Sequence, residues 1–290
     1  MREESTEPLP ALTPRKTDSH KGDYGRMLLV GGSRGMAGAI SLTGLAALRS
    51  GAGLVTIATP RCVQQTVASF SPAYMTVGLA DDDDTFAKSA IEPVMDLAEK
   101  ADVVAIGPGM GRTSAVRALV LKLYTELDRP MVVDADSLNA IGDQRDAIIT
   151  PGGARILTPH PGEFARLAVE SKILTGASRA TAAVELASCD ESSQTIVVLK
   201  GNDTVIAMAD RYAINTTGNP GMASGGAGDV LTGVIAAIVA QDLDIWSAAR
   251  LGVYVHGLAG DLAAKELGQV SVIATDLIDF LPAAFQRCAN

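Results

Sequence analysis

Residues 215–233, NTTGNPGMASGGAGDVLTG, gather glycines and a single carboxylate at the entrance to an apolar stretch. The glycines Gly221, Gly225, Gly226 and Gly228 leave backbone N–H groups uncovered by side chains, and a helix predicted from about 229 to 239 would aim its positive end at the same place. Phosphate fits such a place. Asp229 then stands where a carboxylate could accept the proton of a hydroxyl attacking that phosphate. Taken alone, the Gly-Asp pair is equally what a turn and a helix cap look like. The decision rests on the other loops.

Four of these follow apolar runs. Residues 31–38, GGSRGMAG, lie between a strand and a helix, yet they have neither the Gly-Lys-Ser/Thr ending of a P-loop nor, after the second strand, the ribose-binding acid of a dinucleotide fold. The loop lets backbone approach a ligand closely, or simply turns tightly. Residues 107–111, GPGMG, have the same character. In 158–163, TPHPGE, each proline fixes φ and biases its predecessor towards extended backbone, which holds His160 in place for contact with a ligand. Lys200, Gly201, Asn202, Asp203 and Thr204 follow another apolar run and offer hydrogen bonds to a nucleotide, or form a plain hairpin turn. Loops at the carboxyl ends of parallel strands share one edge of the sheet, so all of them can converge on Asp229.

The elements that would place them read as α/β. Strands are predicted at 27–30, 54–58, 103–106, 131–134 and 155–157, with helices at 39–50, 85–100 and 113–127. A helix at 179–187 precedes the run 195–199, and 205–208 and 212–214 are close enough to pair with it as antiparallel strands. Long helices at 245–266, broken at Gly252 or Gly257, and at 275–285 finish the chain. Residues 1–20 are a polar lead-in, and 21–290 form one domain, since no low-complexity linker divides them. The four aspartates 81–84 decorate an exposed loop.

Composition sets the limits. Of 290 residues, 47% are hydrophobic but only 4% aromatic, which suits Ala-, Val-, Leu- and Ile-rich helices packed on a parallel sheet. The net charge of −9 argues against nucleic acid and against anionic membranes as partners. It also obliges any phosphate site to depend on local donors, a divalent cation and helix N-termini. Three scattered cysteines, an N-terminus with no apolar core and no long apolar run point to a reducing cytoplasm without export or membrane insertion.

Taken together, HKGDYG, GGSRGMAGAI, SGAGLVTIATP, IGPGMG, VVDADSLNAI, LTPHPGEFARL, VLKGND and GNPGMASGGAGDVLTG closely resemble the NAD(P)H-hydrate dehydratase family of the ribokinase-like superfamily. The resemblance spans nearly the whole chain and is most specific in the last motif, where Ala227 replaces a frequent threonine. It implies a ribokinase-like α/β fold with a central, mainly parallel sheet flanked by helices. It further implies dehydration of the S epimers of NADHX and NADPHX to NADH and NADPH, with Mg2+ and with ADP, or alternatively ATP, as phosphoryl donor. By matching motif, Ala39, Gly109, His160 and Asp229 contact the hydrate, and Lys200 to Thr204 with Gly228 bind the adenine nucleotide. The resemblance also implies that Asp229 is the catalytic base and that N–H groups of Gly226, Ala227 and Gly228 stabilise charge on the transferred group. The metal ligands stay unassigned. A homotetramer and a separate epimerase in the same pathway follow from the same resemblance. Two other readings suit the glycines and Asp229: a vitamin or sugar kinase of the same superfamily, and a noncatalytic nucleotide sensor.

Overall fold

The computed structural model describes residues 3–142, 144–168 and 178–288. Its strands are β1 (Glu3–Glu4), β2 (Arg26–Val30), β3 (Leu54–Pro60), β4 (Met75–Leu79), β5 (Asp81–Asp82), β6 (Thr85–Phe86), β7 (Val103–Ile106), β8 (Met131–Val133), β9 (Arg155–Leu157), β10 (Thr195–Leu199), β11 (Val205–Ala207) and β12 (Arg211–Ile214). Ten of them form one sheet in the order β1-β12-β11-β10-β9-β8-β7-β2-β3-β4. From β4 to β10 every pairing is parallel, whereas β11 and β12 close the sheet as antiparallel neighbours.

Alternation along the strands creates two cores. Met27 and Leu29 face one layer, which holds α1 (Ala37–Arg49), α9 (Ala227–Val239), α10 (Ile245–Leu267) and α11 (Ala274–Cys288). Leu28 and Val30 face the other, built from α3 (Ile91–Ala98), α4 (Ser114–Glu126), α5 (Asp136–Gly142), α6 (Arg145–Ile149), α7 (Pro161–Leu167) and α8 (Arg179–Ala187). Helix α2 (Arg61–Ser69) joins β3 to β4. Because β2, β7, β8, β9 and β10 run the same way, the loops after them open on one edge of the sheet. That is the edge where the fold has its cleft.

Several elements differ from the sequence reading. The expected helix over 85–100 begins as β6, which pairs with β5 through a turn whose Asp83 and Asp84 take φ of 50° and 67°; only Ile91–Ala98 is α-helical. Thr85 is drawn into that hairpin by donating its hydroxyl to the Met110 carbonyl, 2.5 Å away, and Phe86 by burial. Helix α10 runs unbroken through Gly252 and Gly257. A Cβ at those positions would sit 2.7 Å from Ile235 Cγ1 and 2.3 Å from Thr217 Oγ1, so the glycines permit close approach and do not bend the helix. Strands β1 and β4 and helices α2, α5, α6 and α7 are additional to the expected set.

The lead-in is tied to the body of the protein. Glu3 and Glu4 pair in parallel with Arg211 and Tyr212, covering the outer edge of β12. Glu7 accepts from Arg211 (2.7 Å), from Arg250 (3.1 Å) and from the Trp246 indole (2.9 Å), and these donors hold its carboxyl below the usual range. On the opposite layer, Arg155 is fully buried, with no carboxylate bonded to it among the described residues. Its guanidinium donates to the carbonyls of Tyr124 (2.6 Å), Leu127 (2.7 Å) and Arg129 (2.9 Å), satisfying the C-terminal turn of α4 as a cap would.

Candidate active site

Helix α9 begins at Gly226, whose φ of 92° belongs to the left-handed region and lets the chain reverse directly into the first turn. The Gly226 carbonyl accepts from Val230 N at 3.1 Å. Among the described residues, the amides of Gly228 and Asp229 have no hydrogen-bond partner. Two donors and the positive end of a 13-residue helix thus face one point. Asp229 projects from the same turn.

Opposite this turn lies a buried polar cluster centred on Asp134, which follows β8 and is 1% exposed. Its Oδ1 accepts from Lys200 Nζ and from Thr158 Oγ1, both at 2.8 Å, and its Oδ2 accepts from Thr232 Oγ1 at 2.9 Å. Thr158 follows β9, Lys200 follows β10 and Thr232 lies on α9, so the cluster fastens the carboxyl ends of three strands to the helix that carries Asp229. Lys200 Nζ reaches the anion turn itself: a Cβ on Gly228 would stand 3.2 Å from it and 3.8 Å from Asp134 Oδ2. Only glycine leaves room there for a ligand oxygen.

This surrounding sets the acidity of Asp229. Burial, reinforced by the negative charge of Asp134 and opposed by Lys200, pushes its carboxyl up to about 7. A carboxylate tuned to neutrality is what a general base needs. Burial likewise raises Glu163, against the pull of Lys200. Burial works to lower the Lys200 ammonium, but Asp134 more than offsets it and leaves the group raised, hence charged.

The cleft beside these groups encloses about 740 Å³. It is lined by Gly226, Ala227, Gly228 and Asp229, by His160, and by the whole segment Lys200–Gly201–Asn202–Asp203–Thr204. That segment is indeed the turn joining antiparallel β10 and β11, and it lines the cleft as well; the two readings of it are compatible. Arg179 grips the turn by donating to the carbonyls of Leu199 (3.0 Å), Lys200 (3.1 Å) and Asn202. Lys200 nevertheless differs from its four neighbours, because its side chain points to the anion turn.

His160 has a structural task too. It is the N-cap of α7, where Nδ1 accepts from Gly162 N (3.0 Å) and Glu163 N (3.3 Å), while Glu163 Oε2 accepts from His160 N at 2.9 Å in return. Its side chain is 51% exposed, on the cleft wall. Ala39 and Gly109 stand apart from that lining but touch each other: a Cβ on Gly109 would lie 3.2 Å from Ala39 Cβ and 2.7 Å from the Met36 carbonyl. Their corner adjoins the anion turn through Leu42, one turn along α1 from Ala39, whose Cδ1 would be 2.6 Å from a Cβ on Gly226.

A family model for NAD(P)H-hydrate dehydratase matches residues 27–283. The chain belongs to the NAD(P)H-hydrate dehydratase family. It is 45% identical over 273 residues to the bifunctional NAD(P)H-hydrate repair enzyme Nnr of Moorella thermoacetica, a match covering 93% of this chain and 51% of that protein. The chain therefore spans about half the length of the curated relatives it matches. Among solved structures it is similar to the ADP/ATP-dependent NAD(P)H-hydrate dehydratase of Bacillus subtilis co-crystallised with ATP and Mg2+, with 34% identity, a TM-score of 0.79 and coverage of 96% of this chain and 94% of that one. It is also similar to a ribokinase-like superfamily protein of Enterococcus faecalis, with 29% identity, a TM-score of 0.79 and coverage of 95% and 92%. The ribokinase-like α/β fold expected from the sequence is the fold of this family member.

Asp134, Glu163, Thr232 and His256 were not singled out by the sequence reading. Asp134 ends an apolar strand, a position that could have drawn attention to it. Glu163 sits three residues after His160, the spacing of a capping box. Thr232 and His256 carry no such signal, because nothing in the order of residues indicates what a helix interior faces.

Proposed function

We propose that the protein dehydrates the S epimers of NADHX and NADPHX to NADH and NADPH at the expense of ADP or ATP. The observation that carries this reading is Asp229, tuned to about 7 beside two unpartnered amides and Lys200 in a chain of this family. Asp229 accepts the proton of the hydrate hydroxyl as its oxygen bonds to the terminal phosphorus and the bond from phosphorus to the nucleotide oxygen breaks. The amides of Gly228 and Asp229, with Lys200, stabilise charge on the group in transit. The bond from C6 to the phosphate oxygen then breaks with electron donation from the ring nitrogen. A proton leaves C5, and the dihydropyridine is restored.

Ala39, Gly109 and His160 hold the hydrate, while Gly201, Asn202, Asp203 and Thr204 hold the adenosine portion. Magnesium suits the site: the donors are carboxylate oxygens, and among the described residues no three His, Cys, Asp or Glu side chains converge to cage a metal by themselves. Magnesium keeps most of its waters and is held largely by phosphate oxygens. Glu163, on the cleft wall, is the carboxylate that would hold its waters, and the ion would neutralise the polyphosphate.

Among the described residues no helix is long and apolar enough to cross a membrane. We place the protein in the cytoplasm as a homotetramer, with an NAD(P)HX epimerase supplying the S epimer; size-exclusion chromatography with light scattering tests the assembly. The function itself is tested by mixing the protein with NADH hydrate, Mg2+ and either ADP or ATP, beside a control lacking nucleotide. Return of reduced-nicotinamide absorbance with one nucleotide identifies both activity and donor. No return with either turns the reading to a small-molecule kinase.

His160 separates binding from capping. His160→Ala is expected to weaken hydrate affinity about tenfold and, through loss of the cap, to lower stability by about 1 kcal/mol. His160→Asn keeps a capping oxygen, so stability returns while hydrate affinity does not. Hydrate KM and a urea melt for both variants check this, and equal loss of hydrate and nucleotide affinity would confine His160 to a structural role.

A further inference from the structure

His256 lies in α10 beneath the first turn of α9, 9% exposed and on the floor of the cleft. Its Nε2 stands 2.9 Å from the carbonyl oxygen of Ala227. A carbonyl only accepts, so Nε2 carries the proton and donates it. Burial lowers His256 to about 4, which keeps the ring neutral at physiological pH and leaves it one N–H to place. That proton is committed to Ala227.

The Ala227 carbonyl and the Gly228 N–H belong to the same peptide unit. The unit is planar and trans, since no peptide among the described residues is cis, so the two groups point in opposite directions. A hydrogen bond that fixes the carbonyl therefore fixes the heading of the N–H. This N–H has no partner among the described residues, and Lys200 Nζ stands beside the same residue, 3.2 Å from where a Cβ on Gly228 would be. Just before it, Gly226 supplies the most permissive backbone in the turn, where a peptide can rotate at little cost. The helical ladder engages the first-turn carbonyls, as Gly226 accepting from Val230 N shows, but leaves the first-turn N–H groups unbonded, and the His256 bond is a further hold on the Ala227 carbonyl.

We propose that His256 is a positioning residue that aims the Gly228 N–H at the transferred phosphoryl group by holding the other end of its peptide unit. This rests on the phosphoryl-transfer reading for the identity of the anion. His256 acts through Ala227 and Gly228. Loss of an entire donor of this kind costs about 10²- to 10³-fold in kcat, and a misaimed one somewhat less.

The test compares two amides that differ in reach. The amide nitrogen of His256→Gln can occupy the place of Nε2, whereas that of His256→Asn falls short of the Ala227 carbonyl. Binding of inorganic phosphate to the AMP-loaded protein is measured by calorimetry, followed by turnover of the hydrate. The Asn variant is expected to bind phosphate at least tenfold more weakly and to lose ten- to a hundredfold in kcat. Its affinity for AMP and its nucleotide KM should stay within about threefold of wild type. The Gln variant should come within about threefold of wild type in both assays. His256→Leu, which keeps apolar volume and no donor, should behave as Asn does and replaces it if Asn does not fold. Equal phosphate affinity in wild type, Gln and Asn proteins would overturn the proposal, as would a Gln variant as impaired as Asn or a wild type that binds no phosphate. Histidine-dependent phosphate binding in a protein inert towards the hydrate would refute the dehydratase reading and leave His256 in its role.

Discussion

Asp229→Asn is expected to lower turnover of the hydrate at least about 10³-fold while leaving ADP or ATP affinity within about threefold, because only the proton acceptor changes. The amides of Gly228 and Asp229, Lys200 and the Lys200–Thr204 turn all persist. With the wild-type carboxyl near 7, kcat/KM should rise with pH and level off above about 7, once the free base has lost its proton. The residual activity of the variant should show no such limb. Stability gives an independent check of the same group. The carboxyl is raised above its ordinary value of 3.8 in the folded protein, so the neutral form is the one the fold favours. Relative stability from this group is fully present below about pH 4 and is lost as pH rises through about 7. Asparagine, always neutral, escapes that loss, so the variant should be more stable than wild type by a margin that grows from pH 4 to pH 7. At 1.36 kcal/mol per unit the ceiling is about 4 kcal/mol, and solvent reaching a half-buried group reduces it to about 2 kcal/mol. Urea melts at pH 5 and pH 8 measure it; turnover within tenfold of wild type, or an identical margin at both pH values, would contradict the assignment.

What could be read from the sequence follows from where the information lies. The anion turn was legible because its chemistry is local: Gly226, Gly228 and Asp229 are neighbours along the chain and remain neighbours in space. The cleft-lining turn 200–204 and His160 were legible for the same reason, each following an apolar run that could only be a buried strand. The Asp134 cluster was not, since Lys200 is 66 residues away from Asp134 and Thr232 is 98 away. Parallel topology alone brings them together. The His256 contact depends on the packing of α10 under α9, which Gly252 allows by its close approach to Ile235; read along the chain, Gly252 and Gly257 suggested a broken helix. β4 and α2 escaped because their apolar signal is thin, β4 burying only Leu79 and α2 only Val63 and Val67, and β5 and β6 because four successive aspartates look like a loop. Ala39 and Gly109 show the limit of motif reasoning: the structure brings them together, but on a corner beside the cleft lining.

Lys200→Met should impair both folding and chemistry, and the two losses can be separated. Met fills the apolar part of the space but leaves Asp134, 1% exposed, as a buried carboxylate with only the hydroxyls of Thr158 and Thr232. Removal of one partner from a buried pair costs about 3–5 kcal/mol, and the remaining hydroxyls place this case near the lower figure, about 3 kcal/mol. Adding Asp134→Asn removes the uncompensated charge, so the double variant should be more stable than Lys200→Met alone, an interaction that a double-mutant cycle in urea isolates. Turnover should not recover with it. Without Nζ beside Gly228 the group in transit loses its fixed positive charge, for which a fall in kcat of about 10²-fold is expected in both variants. The pH profile adds a sign that no general loss of structure would produce. Lys200 lowers the Asp229 carboxyl and Asp134 raises it. Lys200→Met should therefore move the acid limb of kcat/KM above pH 7, and Asp134→Asn alone should move it below. Limbs that stay in place, or that move in the same direction in both single variants, would show that the pair does not set the basicity of Asp229.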